Sequence, residues 1–322
     1  MTASRTITDR AVGAMLDRER ALFAKRNPRS SRLAERAAAH WLAGVPMLWM
    51  ADWATPFPLF IRKANGVALT DIDGNSYVDF CLGDTGAMFG HSPPEFYREL
   101  VRQGKCGITT MMPSPDAEAV GRLLADRFGL PVWQVTATAS DANRSVLRWM
   151  RAVTGRRKIL VFNGCYHGAV DETFVRRDGR RTAADPGLVG EARDLARLTK
   201  VVEFNDVEAL EAALAGGDVA CVLAEPVMTN CGMVLPAPGF HEALRRLTRR
   251  TGTMLVIDET HCMSSGPGGY TGAFGLEPDA IVLGKPIAGG VPAAVYGFSG
   301  DVAQRIGDYL KRKKPGHSGI GT

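Results

Sequence analysis

Residues 115 to 285 predict an α/β fold, a mostly parallel sheet covered by helices on both faces. Two observations carry this. Short apolar runs recur through the stretch and are nearly uninterrupted, as strands buried on both faces must be. Amphipathic helical segments separate them, the alternation expected of a parallel sheet built from crossovers.

The elements follow in order. Val12, Met15, Leu16, Leu22 and Phe23, then Leu33, Ala37 and Trp41, recur at helical spacing, predicting one or two amphipathic helices broken near Asn27-Pro28. "GVALTDIDGNSYVDF" (66 to 80) alternates apolar and polar residues around an Asp-Gly-Asn turn and predicts a hairpin. "DAEAVGRLLADRFG" (116 to 129) is a helix leading to the strand "VWQVTAT". "DANRSVLRWMRAVTG" (141 to 155) is the next helix and "KILVFNG" the next strand. A long polar loop, the helix "VEALEAALAGG" and the strand "VACVLAEPV" come after it. The helix "GFHEALRRLTRRTG", the strand "MLVIDE", a glycine-rich loop and the strand "AIVLG" complete the pattern.

With 322 residues, 45% of them hydrophobic and 23% charged, the chain can bury a sizeable core as one large domain or two. The net charge of +5 is spread along it. "RRDGRR" and "KRKKPGH" are local basic clusters without interleaved aromatics, so they read as solvated surface and give no case for nucleic acid. The six cysteines show no CxxC pair and no metal-ligand spacing, which fits a reducing compartment and predicts no metal. The N-terminal segment lacks an apolar signal core, and no apolar run reaches membrane-spanning length. A cytoplasmic protein without a membrane partner is the expectation.

Lys285 and Asp258 stand out, because each directly follows an apolar strand and so reaches the same edge of the sheet. A lone strand-end aspartate commonly just caps a helix. Beside a lysine delivered to the same edge, it becomes half of the kit for pyridoxal phosphate chemistry. The amine forms an imine with the cofactor aldehyde, and the carboxylate keeps the pyridine nitrogen protonated. The phosphate needs an anion cradle. Thr138, Ala139 and Ser140, between a strand and a helix beginning near Asp141, offer hydroxyls and exposed amides, although the same residues are ordinary helix caps. Tyr166 and His167, flanked by Gly164 and Gly168, can present an aromatic ring at the same edge, with a core tyrosine and a turn histidine as the plain alternative.

The order of these pieces resembles a known family. The loop Thr138 to Asn143, "GCYHG" (164 to 168), "AEPV" (224 to 227), "VIDET" (256 to 260) and "LGKPIAGG" (283 to 290) look like the class III, fold type I pyridoxal phosphate-dependent aminotransferases. Within them the likeness is greatest to the branch holding glutamate-1-semialdehyde aminomutase and the β-amino acid aminotransferases. The resemblance implies a seven-stranded, mostly parallel sheet in a large cofactor-binding domain (81 to 322). Residues 1 to 80, a helical segment and hairpin, would belong to a small domain. It implies Lys285 as the imine-forming lysine and proton shuttle and Asp258 as the pyridinium partner. Tyr166 would stack on the ring with His167 beside it, and Thr138, Ala139 and Ser140 would bind phosphate. Glu225 and Thr260 would line the cofactor, and Thr322 would reach the phosphate of a neighbouring subunit. A homodimer with its active site at the subunit interface follows from that last role.

The departures are informative. Thr138-Ala139-Ser140-Asp141 stands where the family usually has Ser-Gly-Thr-Glu, and Thr260, followed by His261 and Cys262, stands where it usually has the valine of Glu-Val after the aspartate. Relatives tend to carry a substrate-binding arginine shortly before the segment matching "TPFPLFI", whereas "VPMLWMADWATPFPL" contains none. An apolar pocket lined by Trp49 and Trp53 is the expectation, suited to an amine or an amino acid with a bulky apolar group. Relatives also continue as a small C-terminal domain, so the sequence is expected to be a fragment or an abbreviated form. The expected activity is transamination between an amine or amino acid and a ketone or keto acid. An aminomutase or racemase using the same lysine is the alternative, and a non-catalytic cofactor-binding protein is a third reading. The arginine-rich "RRDGRRTAADPG" poorly matches the segment that gates the site in aminomutases.

Overall fold

The computed structural model describes residues 8–179, 181–192, 194–313 and 320. Two compact units make up the chain, Met1–Gly83 with Met88–Gln103, and Asp84–Ala87 with Gly104–Thr322.

The first unit begins with two helices, α1 (Asp9–Arg26) and α2 (Pro28–Ala37), and the break falls at Asn27-Pro28 as expected. Proline at the first helical position starts α2 at no cost in hydrogen bonds. Although α1 is helical, it buries no residue: Val12, Met15, Leu16 and Leu22 remain 40 to 52% exposed. Strands β1 (Ile61–Asn65), β2 (Ala68–Asp71) and β3 (Ser76–Val78) form an antiparallel sheet, β2 and β3 being the predicted hairpin. The Asp73 carboxylate in its turn accepts the Arg29 and Ser30 amides at 2.7 and 2.9 Å, capping α2 from a distance in sequence. The unit extends past residue 80 because His91 exchanges backbone bonds with Gly66 and sets Nε2 2.7 Å from Asp79. Helix α3 (Pro94–Gly104) follows.

In the second unit, α4 (Asp116–Phe128), β4 (Val132–Thr136), α5 (Ala139–Thr154) and β5 (Lys158–Phe162) match the sequence reading closely. The segment read as a long polar loop contains more structure. Strands β6 (Val175–Asp178) and β7 (Arg181–Ala184) make an antiparallel hairpin, and β8 (Thr199–Val202) joins the main sheet. Charged residues on the hairpin obscure its alternation, and β8 is only four residues long. Then come α6 (Val207–Leu214), β9 (Val219–Ala224), α7 (Phe240–Thr251), β10 (Met254–Asp258), the short α8 (Gly269–Ala273) and β11 (Ala280–Leu283). The described part ends with β12 (Ala294–Phe298) and α9 (Gly300–Arg312).

The main sheet has seven strands in the order β4-β12-β11-β10-β9-β5-β8. All neighbours are parallel except β12, which is antiparallel to both β11 and β4. Because β12 reverses twice, the C-terminal ends of β4, β5, β9, β10 and β11 share one edge. Successive strand residues feed opposite cores. Ile159, Val161, Val256 and Val282 pack with α5 and α9, while Leu160, Phe162, Leu255 and Ile257 pack with α6 and α7. Each buried aliphatic side chain contributes about 1.5–3 kcal/mol, and burial on both faces explains why these strands read as continuous apolar runs. Among the described residues no helix is long and apolar enough to cross a membrane.

Candidate active site

Small residues let the strand ends meet at that edge. A Cβ on Gly284 would lie 2.7 Å from the Ala139 Cβ and 3.3 Å from the Thr260 side chain, so only glycine lets the ends of β11, β10 and β4 come together. A Cβ on Gly168 would lie 2.1 Å from the Ser140 Oγ, which packs the loop after β5 onto the first turn of α5. Lys285 follows Gly284 with φ +49°, a left-handed conformation unusual for a lysine and typical of strained functional positions.

Asp258, at the end of β10, is buried and held by four donors. Oδ2 accepts from His167 Nδ1 and Asn143 Nδ2, both at 2.9 Å, and Oδ1 accepts from the Thr260 amide at 3.1 Å and its hydroxyl at 2.6 Å. Burial works to raise the carboxyl pKa, but His167, Thr260 and Asn143 together outweigh it and hold Asp258 below the usual carboxylate range. For His167, burial opposes the charge and the bond to Asp258 leads the groups that overcome it, pushing the imidazole up to about 10. The result is an ionised carboxylate shut off from water, the state needed to hold a pyridinium proton.

Lys285 Nζ has two polar neighbours. It bonds the Asp84 carboxylate and lies 2.7 Å from His261 Nε2. Burial, and then the charge of Lys285, push His261 below the ordinary imidazole range, against the pull of Asp84, Glu225 and Asp258. Glu225, at the end of β9, is 3% exposed. Its Oε2 accepts the Thr229 amide at 3.0 Å and hydroxyl at 2.5 Å, while Oε1 has no partner among the described residues.

The start of α5 provides an anion cradle. Thr138 caps the helix, its hydroxyl accepting the Asp141 amide at 3.2 Å and donating to the Asp141 carboxylate at 2.8 Å. Ser140 Oγ accepts the Ala169 amide at 2.9 Å and keeps its own proton to donate. Ala139 and Ser140 sit in the first turn, where helix amides lack intrahelical acceptors and the helix dipole favours an anion.

The remaining expected residues divide by place. Tyr166 sits in the loop after β5, 48% exposed, whereas His167 next to it turns inward and acts through Asp258. Trp49 and Trp53 belong to the first unit, 53% and 58% exposed, with Trp49 on a single 3₁₀ turn, Leu48–Ala51. Thr322 lies outside the described residues. Two contacts escaped the sequence reading. Asn143 left a signal, being a polar residue on the buried face of α5 among Ala142, Val146 and Leu147. Asp84 left none, since it lies 201 residues from Lys285 in a segment without regular structure.

A strand-end lysine, a buried ionised carboxylate and a helix N-terminus on one edge of a mostly parallel sheet define a fold type I enzyme. The chain belongs to the class-III aminotransferases, whose family model matches residues 49–310, and its cofactor is pyridoxal 5′-phosphate. A glutamate-1-semialdehyde 2,1-aminomutase of Anaeromyxobacter sp. (strain Fw109-5) is 35% identical over 254 residues, 77% of this chain and 59% of that protein. The chain thus spans about three fifths of the length of the curated relatives it matches. A crystal structure of a glutamate-1-semialdehyde-aminomutase from Pseudomonas aeruginosa PAO1 superposes with a TM-score of 0.93 at 51% identity, covering 97% of this chain and 70% of that one. A lysine-to-alanine variant of it is known in complex with PMP. A β-phenylalanine aminotransferase from Variovorax paradoxus gives a TM-score of 0.83 at 30% identity, over 96% of this chain and 69% of its own.

The residues fit the cofactor. Asp258 is an anionic carboxylate able to balance a ring nitrogen's charge, Lys285 offers an amine, and the start of α5 offers donors suited to a phosphate.

Proposed function

We propose that the protein is a pyridoxal phosphate-dependent aminotransferase that moves an amino group from an amine or amino acid to a ketone or keto acid. The observation that carries this reading is the pairing of Lys285 with a buried, ionised Asp258 at neighbouring strand ends. When bound, the cofactor supplies an aldehyde for the amine and a ring that accepts the electron pair left when the amino carbon loses its proton.

The chain's own residues do the rest. Asp258 keeps the ring nitrogen protonated, and His167, Asn143 and Thr260 hold Asp258 in place. Lys285 Nζ would be the amine that holds the cofactor aldehyde and, when free, the group that carries the proton at the substrate's amino carbon. The Ala139 and Ser140 amides with the Ser140 hydroxyl would take the phosphate, with Thr138 capping the helix beside them. Tyr166 would stack on the ring, and Glu225 would lie near its oxygen or the substrate. In this reading the protein is a cytoplasmic homodimer with its active site at the subunit interface.

The sequence supports an amine donor over a dicarboxylic substrate. No arginine or lysine lies between Leu42 and Ile61, where relatives place a carboxylate-binding arginine. A second reading, an aminomutase, is favoured by the names of the relatives from Anaeromyxobacter and Pseudomonas.

One experiment separates the two. The enzyme, loaded with pyridoxal phosphate, is given candidate amines in the absence of a carbonyl acceptor. Release of one carbonyl product per active site, with conversion of the cofactor to its amine form, is the expected result. Multiple turnovers to a rearranged amine, without carbonyl release, would establish the aminomutase instead.

A further inference from the structure

His261 has no part in the roles above, yet its Nε2 lies 2.7 Å from Lys285 Nζ. The contact has chemical consequences. A lysine adds to an aldehyde only as the neutral amine, because an ammonium nitrogen has no free electron pair. Each time Lys285 takes up the cofactor it must first lose a proton, and each time it is released it can regain one.

Among the described residues two groups bond Nζ and could receive that proton, Asp84 and His261. A carboxylate, with an ordinary pKa near 3.9, is a much weaker base than an imidazole near 6.5, and an anion beside the amine favours the ammonium. Asp84 is therefore the poorer acceptor for that proton, and His261 is the group placed to take it. The groups that face His261 are Lys285, Asp84, Glu225 and Asp258.

We propose that His261 is the acid–base partner of Lys285, taking the proton from Nζ when the lysine binds the cofactor and returning it when the lysine is released. The proposal rests on the reading that Lys285 binds the cofactor aldehyde. In the forward step the Nζ–H bond breaks, its electron pair stays on nitrogen, and the proton forms an Nε2–H bond. No oxidant or reductant is involved. Half-burial beside a cation keeps the imidazole neutral near pH 7, with Nε2 open once the ring proton sits on Nδ1. The half-exposed position also leaves a route for the proton to reach solvent through Asp84, whose side chain is 67% exposed.

The test uses apoenzyme and added pyridoxal phosphate, following the covalent lysine adduct by absorbance and by borohydride trapping at Lys285. Wild type should form the adduct at a rate that rises with pH through a limb below the ordinary imidazole value and then levels off. His261→Ala should form the same adduct at least about tenfold more slowly, the modest end of general-base effects, with its limb moved to higher pH. Free imidazole in the buffer should recover part of that rate. His261→Gln, which keeps a hydrogen-bond acceptor but takes no proton, should stay slow, and it carries the test if the alanine variant fails to fold. A wild-type rate and pH profile in either variant would overturn the proposal. Failure of wild-type apoenzyme to form any adduct would instead overturn the cofactor role of Lys285, a separate result.

Discussion

His167 Nδ1 lies 2.9 Å from Asp258 Oδ2, and the two side chains are 0% and 5% exposed. Breaking a buried pair from one side leaves an uncompensated charge, which costs about 3–5 kcal/mol. The His167→Asn apoprotein should lose stability of that order in denaturant unfolding. The loss should depend on pH. Asp258 is depressed, so its contribution is present above the unfolded carboxylate value and vanishes as pH falls through the lower folded value. His167 is raised to about 10, so its contribution is complete below the unfolded imidazole value and disappears as pH climbs to about 10. The difference between wild type and variant should therefore be greatest at about pH 4–6.5 and shrink on both sides. A difference independent of pH would count against the ion pair.

Gly168→Ala tests the packing of the cradle. Its φ is +78°, and the new Cβ would meet the Ser140 Oγ at 2.1 Å and the Ser140 Cα at 3.1 Å. Left-handed strain and the clash together should cost about 2–4 kcal/mol, read as a lowered thermal midpoint. Adding Ser140→Ala removes the nearer atom and should recover part of the loss, whereas strictly additive losses would mean the two residues do not meet.

Thr260→Val replaces a hydroxyl by a methyl of similar size where the Thr260 Oγ1 donates to Asp258 Oδ1 at 2.6 Å. Losing one donor to a buried carboxylate should cost about 1–3 kcal/mol and make Asp258 easier to protonate. Because the folded carboxyl is then less depressed, acid unfolding of the apoprotein should set in at higher pH than in wild type. An unchanged acid midpoint would show that His167 and Asn143 suffice.

Much of this site could be read from the chain because its main residues follow apolar runs that had to be strands. Asp258 and Lys285 close β10 and β11, and their shared edge follows from parallel pairing. In the main sheet the strands that escaped are β8 and β12, which lie beside segments whose charge or glycine content hides periodicity. The partners of the two key residues were harder. Sequence places His167 beside Tyr166 but does not give the direction of its ring, which the fold turns inward onto Asp258. Asp84 meets Lys285 only through the fold, so no local pattern could announce it.

Lys285→Ala removes the amine while leaving Asp258 and the cradle in place. The variant should still bind pyridoxal phosphate, but reversibly. Dialysis should strip it, and borohydride should leave no cofactor attached to the protein. Retention of a trapped cofactor on this variant would move the covalent role to another lysine.

Substrate size is the last expectation open to a direct measurement. Trp49 stands on an exposed 3₁₀ turn, and an indole cannot neutralise an acid but can cover an apolar group. If Trp49 lines the substrate pocket, its truncation to alanine removes apolar contact with large substituents and leaves small ones unaffected. An aromatic side chain buries about 150–250 Å², so even partial contact should amount to about 1–3 kcal/mol of transition-state binding. The kcat/KM of Trp49→Ala should then fall about 10- to 100-fold for bulky apolar amines and stay within about twofold for small ones, since 1.4 kcal/mol corresponds to a factor of ten. Equal losses on both classes would remove Trp49 from the pocket, and a gain on acidic amino acids would show that the indole had been excluding a carboxylate.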